Sequence, residues 1–259
     1  MEQIITPALQ NRIKILEKTP LRWWAGEAEV VRTYFSRPRT RNDDLFWLKL
    51  QAARELGTVE RLLHPLQHQL AQIEKELSRS EFETALRSVY EEARHYRLFA
   101  DIIEQIAGEK PDAQELLDYS GTMRETKGHP DLPALTAEVE ITVDLRNRHG
   151  ALADIALGFF EGAGAAMFYA GSQLMEYEYS SYSGGKIEKE IAEAMAIVFQ
   201  DEMQHGPVHI PRVAQAIQSD EEMATAINIL ETKSIAHLRL RNETFGNPLS
   251  DHRMKEIDA

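Results

Sequence analysis

The chain has 259 residues, 43% of them hydrophobic, enough for one domain with a substantial buried core. Its formal net charge of −13 works against binding to phosphate backbones, so no nucleic-acid partner is expected. With no cysteine, the sequence excludes disulfides, thiolate metal sites and a cysteine nucleophile.

The first twenty residues scatter Glu2, Arg12, Lys14 and Glu17 among apolar positions and lack the continuous apolar core of a signal peptide. Residues 1–42 are expected to form short covering helices, with Trp23 and Trp24 as packing anchors. Arg37, Arg39 and Arg41, around Pro38, read as a solvated loop. Leu45, Leu48, Ala52, Leu56, Val59, Leu63, Leu66 and Leu70 recur at helical steps and predict one long helix from 43 to about 77, kinked at Pro65. Ser80 and Glu83 make a capping box for a second helix that runs to about 107, where Gly108 and Pro111 close it.

Residues 110–150 are broken by Pro111, Gly128, Pro130 and Pro133 and connect the two helical pairs. A third helix is expected over about 151–177. Its central stretch, 155–175, has one charged residue, Glu161, which argues against a membrane span. Ser180, Ser181, Ser183, Gly184 and Gly185 form a turn, a fourth helix opens near 186 and passes 205, and a last helix covers about 220–241. The expected fold is a single all-α domain over 1–259: covering helices to 42, helix pairs at 43–107 and 151–217, then a C-terminal helix and tail over 218–259. The expected location is the cytoplasm.

Two tetrapeptides carry the chemistry: Glu92 with His95, and Glu202 with His205. Residues three apart share a helix face, so each motif aims a carboxylate and an imidazole at one point. That pairing suits Fe(II), Mn(II) or Zn(II). Each motif follows an acid, Glu91 or Asp201, of the kind that orients a ligating histidine through its other ring nitrogen. About one Glu-x-x-His is expected by chance in a chain of this composition, and roughly a fifth of one with a preceding acid. Here there are two, and both carry the acid.

Glu161 sits alone in an apolar helix, where a buried carboxylate is costly unless it is paired or bound to metal. The first long helix offers Glu55 or Glu60 as its counterpart. With the turn placed at 78–80, Glu60 gives the better match, an arm of about eighteen residues against about fourteen to Glu92. Glu60 is preferred and Glu55 is kept open. His209, one turn past His205, is a candidate extra ligand, and His64 and His68 read as surface or supporting histidines.

The order Glu, Glu-x-x-His, Glu, Glu-x-x-His over residues 43–217 resembles the di-metal site of the ferritin-like di-iron carboxylate superfamily, in its oxygenase and oxidase branch. The resemblance implies a four-helix bundle with flanking helices. It implies Glu60, Glu92, His95, Glu161, Glu202 and His205 as ligands, with Glu91 and Asp201 supporting them. No catalytic residue is identified beyond these. Phe99 stands where the ribonucleotide reductase small subunit has its radical tyrosine. Ala156 stands where the related ligand-binding oxidases have a cross-linking tyrosine, and Val198 where arylamine N-oxygenases have an added histidine. The absence of cysteine separates the chain from rubrerythrins.

The resemblance implies a dioxygen-activating oxidoreductase with two iron ions, manganese–iron occupancy left open. It would act on a small apolar organic molecule and draw on an external electron donor; a homodimer stays open. The rival readings are a ferritin-like iron-binding or storage protein, and a helical interaction protein without metal.

Overall fold

The computed structural model describes residues 6–75, 77–117, 132–158, 164–177 and 179–259, with the side chains of 155, 156, 158 and 204–213 outside the description. Among the described residues the fold is all-α, without a β-strand.

Helix α1 (Pro7–Lys18) starts where the Thr6 hydroxyl accepts from the Leu9 amide, with Pro7 at the position where a missing N–H costs nothing. Helix α2 (Leu21–Phe35) buries Trp23, Val30, Val31 and Phe35; Trp24 is half-buried. Arg39 departs from the solvated loop expected around it. It is buried, its Nε donates to Asp44 at 3.2 Å, and its guanidinium lies over the Phe35 ring. Charge spacing alone does not reveal that Asp44, within the next helix, is there to receive it.

Helix α3 (Arg41–Gln69) opens with a capping box between Thr40 and Asp43 and carries Pro65 inside it. It ends earlier than the apolar stripe suggested, in a 3₁₀ turn at Leu70–Gln72. The stripe holds as far as Leu56; Leu63 and Leu70 are exposed, and Leu66 alone is buried beyond Gly57. Helix α4 (Arg79–Ala107) starts at Ser78, whose capping box with Glu81 lies two residues ahead of the expected Ser80–Glu83 pair. Gly108 closes it in the left-handed region at φ 84°.

Helix α5 (Pro133–His149) follows. Helices α6 (Ala151–Gly158) and α7 (Ala165–Ser172) occupy the two ends of the expected third helix, and a 3₁₀ turn at Leu174–Glu176 comes next. Gly184 (φ 81°) and Gly185 (φ 64°) turn the chain into helix α8 (Lys186–Ala216). Helix α9 (Asp220–Thr244) is capped by Ser219 and Glu222, and a last short helix, α10 (Asp251–Asp258), by Ser250. Among the described helices, none is long and apolar enough to cross a membrane.

Helices α3 and α4 pack as one hairpin, α7 and α8 as another, and α4 lies against α8 to join them. Helix α2 covers α7, while α9 packs behind α2, α5 and α6. The main core contains Trp23, Phe35, Trp47, Phe99, Phe168, Met195 and Phe245. Within it Trp47 stacks on Phe245, centroids 5.2 Å apart, and meets Phe99 edge-on at 6.3 Å. Helices α7 and α8 approach so closely that a Cβ on Gly171 would lie 1.6 Å from the Met195 sulfur. These contacts set α3 against α4 and α7 against α8.

Candidate metal centre

Helix α3 carries Trp47, Gln51 and Glu55 at four-residue steps, one line along its buried face. Helix α4 carries Glu92 and His95 on the face that meets it. Glu55, Glu92 and His95 are all buried, and a set of ligand atoms, one from each, lies within 4.8 Å of one another. Helix α8 adds Asp201 and Glu202, each half-buried.

His95 is fully enclosed, and its two ring nitrogens have different fates. Nε2 lies 2.9 Å from Asp201 Oδ2, which is itself 3.5 Å from Arg94. Because Asp201 accepts there, Nε2 bears the proton and the Nδ1 lone pair faces the cluster in the neutral ring. Nδ1 has no hydrogen-bond partner among the described residues; Glu55 Oε2 at 3.7 Å and Glu92 Oε2 at 3.9 Å are too distant for one.

Buried polar atoms are nearly always satisfied, so an orphan nitrogen between two carboxylates calls for a third component. Two donors bound to one ion through bonds of about 2.1 Å stand roughly 3.0–4.2 Å apart, depending on the angle between them. Both spacings fall in that range. The donor set, hard carboxylates with an imidazole, therefore fits a first-row divalent ion.

The electrostatics agree with an arrangement short of positive charge. Burial, the neighbouring Glu55 and the charge of Glu202 push the Glu92 carboxyl up to about 11, so without a cation it keeps its proton. For Glu55, burial raises the pKa, but the facing His95, with help from Glu92 and Gln51, outweighs it and the net shift is downward. For His95, burial lowers the pKa, and Glu55, Asp201 and Glu202 together reverse that, so it is raised. One carboxylate is thus held ionised and its neighbour protonated, the usual outcome when two acids share a small buried space.

The preferred Glu60 is exposed, and Glu55 takes the place beside Glu92 and His95. The reason lies in the turn. Helix α3 stops at Gln69 and α4 starts at Arg79, so the hairpin centres near residue 74 rather than 78–80. From there the arms to Glu55 and Glu92 are about nineteen and eighteen residues, and the equal-arm rule selects Glu55.

Asp201 orients a histidine of the neighbouring helix, His95. Glu91 is half-buried on α4. Glu161 lies outside the described residues. So do the side chains of His205 and His209, whose backbone belongs to α8. His64 and His68 are exposed, their rings 5.0 Å apart.

Sequence reasoning missed the polar residues behind Glu55. Gln51 Nε2 donates to Glu55 Oε1 at 2.6 Å, and Arg241 Nη1 donates to Gln51 Oε1 at 3.3 Å. Arg241 Nε faces Glu27 Oε2 at 3.7 Å, and Glu27 Oε1 lies 2.8 Å from His237 Nδ1. Arg54 Nη2 is 3.4 Å from His237 Nε2. An arginine only donates, so Nε2 accepts and Nδ1–H donates to Glu27. The available signal was the four-residue spacing of Gln51 from Glu55, and of His237 from Arg241, each within an otherwise buried face.

No protein-family model matches the chain, and neither the curated proteins nor the solved structures contain a significant match to it.

Proposed function

We propose that the chain is a non-haem di-iron oxidoreductase of ferritin-like architecture, an oxygenase or oxidase acting on a small organic substrate, with manganese–iron occupancy as the variant composition. The observation that carries the metal reading is the orphaned Nδ1 of buried His95, facing Glu55 and Glu92. The duplicated Glu-x-x-His motif, with its second copy on the adjoining α8, supports a pair of ions over a single one.

Glu55, Glu92 and His95 would hold one side of the pair, and Glu202, whose charge acts on both Glu92 and His95, would reach it from α8. By the sequence resemblance Glu161 and His205 complete the set. When bound, the metal pair supplies the electrons and the oxidising power for dioxygen chemistry. The protein does the rest. Asp201 accepts the Nε2 proton of His95 and so aims Nδ1 inward. Burial of the three ligands excludes water and fixes their positions before anything binds. Glu92 would give up its proton on metal uptake, and that loss would offset one unit of the incoming ion's double charge.

The test is metal analysis of protein purified without metal-affinity resin, beside Glu55→Ala and Glu92→Ala. About two iron or manganese ions per chain, lost in both variants, support the site. Dioxygen uptake by the reduced, loaded protein then separates an oxidase or oxygenase from a storage protein, which would instead load many more ions. No metal taken up anaerobically from Fe(II) would overturn the proposal and leave the helical interaction reading.

A further inference from the structure

The ligand Glu55 does not stand alone on its helix. Its Oε1 receives the Gln51 amide at 2.6 Å, while its Oε2 is the oxygen that faces His95 Nδ1 at 3.7 Å. The two oxygens therefore have separate tasks, one tied back to α3 and one turned to the site. Which oxygen does which is decided by Gln51.

A glutamine amide fits its surroundings in either of two flips, and here only one satisfies them. Arg241 has donors alone, so the Gln51 carbonyl must face it, at 3.3 Å from Nη1. The Gln51 NH₂ group is then left to face Glu55. Flipped, the amide would set a donor against Arg241 and an acceptor against the Glu55 carboxylate, leaving buried groups unsatisfied on both sides. All three side chains are buried, Gln51 at 5%, Glu55 at 5% and Arg241 at 2% exposure, so water does not intervene to rescue the wrong flip.

Arg241 is in turn held from α2 and α9. Glu27, which is 0% exposed, faces its Nε at 3.7 Å and also receives His237. A guanidinium fixed on the far side of Gln51 thus sets the amide, and the amide sets the carboxylate. Gln51 touches Glu55 and Arg241 touches Gln51, so both are placed to act through Glu55.

We propose that Arg241, acting through Gln51, is a positioning device for Glu55: it fixes the amide flip that holds one Glu55 oxygen back and presents the other to the metal. This rests on the metal-centre reading above and extends it to residues contributed by α9. The separate role is physical. Without Gln51 the Glu55 carboxyl is free to rotate and to bind its ion through either or both oxygens, which changes both affinity and coordination geometry.

The experiment uses Co(II) alone as the probe, added anaerobically to metal-free full-length protein. Affinity and the visible d–d absorption, which reports coordination geometry, are read together. The variants are Gln51→Met, which keeps the side-chain length and removes both hydrogen bonds, Arg241→Lys, and the two combined. The expected result is an affinity lower by about ten- to hundredfold in Gln51→Met, as for other residues that orient a metal ligand, with an altered Co(II) spectrum. Arg241→Lys is expected to shift the spectrum in the same direction, and the double variant to be no worse than Gln51→Met, because the two act in series.

Should Gln51→Met fail to fold by circular dichroism, Arg241→Lys decides the matter on the same two readouts. Parent-like affinity and spectrum in the folded variants would overturn the positioning role while leaving the metal centre intact. A parent protein that takes up no Co(II) would overturn both together, and the two failures are thus told apart by the parent alone.

Discussion

Replacing Glu92 by glutamine should make the metal-free protein more stable at neutral pH, even as it removes a ligand. The argument is one of proton linkage. Burial and the charges of Glu55 and Glu202 hold the folded Glu92 carboxyl protonated, with its pKa pushed up to about 11 from an ordinary 4.5. Between those values the folded chain keeps a proton that the unfolded chain has released, so folding stability falls as pH rises. The slope is about 1.4 kcal/mol per pH unit, which accumulates to about 4 kcal/mol by pH 7.5.

Glu55 adds no slope in this window, because its depressed pKa acts only below about 4.5. His95 is raised, so its stabilising contribution is full below about 6.5 and is lost as pH rises through its higher folded value, in parent and variant alike. Glutamine carries no such cost. Its amide replaces an O–H donor imperfectly, at about 1–2 kcal/mol, leaving a net gain of about 2–3 kcal/mol at pH 7.5. That is a melting temperature higher by about 4–12 °C. At pH 5.5 the linkage contribution is only about 1.4 kcal/mol and the gain should nearly vanish.

Urea unfolding of chelator-treated parent and Glu92→Gln at the two pH values measures this directly. A variant less stable than the parent at pH 7.5, or a gain that does not grow between pH 5.5 and 7.5, would refute the reasoning. A gain accompanied by retained metal binding would separate Glu92 from the ligand set.

Three further outcomes follow from packing and charge. Gly171→Ala would force its new methyl into Met195, a fully buried residue, and should cost about 1–3 kcal/mol by overpacking, relieved when Met195→Ala is added; equal stability of Gly171→Ala and parent in urea would contradict the close approach of α7 and α8. Asp44 is 0% exposed and accepts from Tyr34 at 2.8 Å, Arg39 at 3.2 Å, Trp47 at 3.2 Å and Tyr182 at 2.8 Å. Asp44→Asn should therefore cost about 3–5 kcal/mol by stranding Arg39, and a loss below about 1 kcal/mol would show the network to be redundant. Burial raises the Glu138 pKa, but the charge of Lys233 and of more distant His237 and Arg54 outweighs it and the net shift is downward. Its contribution is therefore present above about pH 4.5 and lost on acidification, so Glu138→Gln should flatten the acid limb of a stability–pH curve, while an unchanged limb would argue against the pairing.

The helices were legible because their signals are local. Four-residue apolar steps, Gly108, the Gly184–Gly185 pair and the acidic start of α9 all act within a turn or two of themselves. The hairpin register was less legible. Leu63 and Leu70 extend the stripe of α3 beyond the part that is buried, and so they hid the true position of the turn. That displacement exchanged Glu55 for Glu60. Glu92, His95 and Asp201 were readable from motif spacing, yet the pairing of Asp201 with His95 was not, because it depends on how α4 lies against α8. Arg39 and Arg241 show the same limit. A charged side chain looks solvated in sequence until the carboxylate or amide that receives it is placed beside it.

The distribution of buried charge gives a further reason to look for a cation at this point in the fold. Behind α3, Glu27, Glu55 and Glu138 are matched in number by Arg54, Lys233 and Arg241, and Lys233 bonds Glu138 directly. On the α8 side, Asp201 has Arg94 within 3.5 Å. Within the cluster, Glu92 feels burial and the charges of Glu55 and Glu202, which outweigh the opposing charge of Arg61. The metal-free protein relieves that repulsion by keeping a proton on Glu92, which burial favours but which costs folding free energy at neutral pH, where the unfolded carboxyl is ionised. A buried acid pair that shares a proton, beside a histidine Nδ1 without a hydrogen-bond partner among the described residues, is an arrangement that a positive charge from outside the chain would relieve. Substituting Glu92 and His95 by well-packed apolar residues should then raise stability and abolish metal uptake together, the signature of a site kept at the expense of the fold.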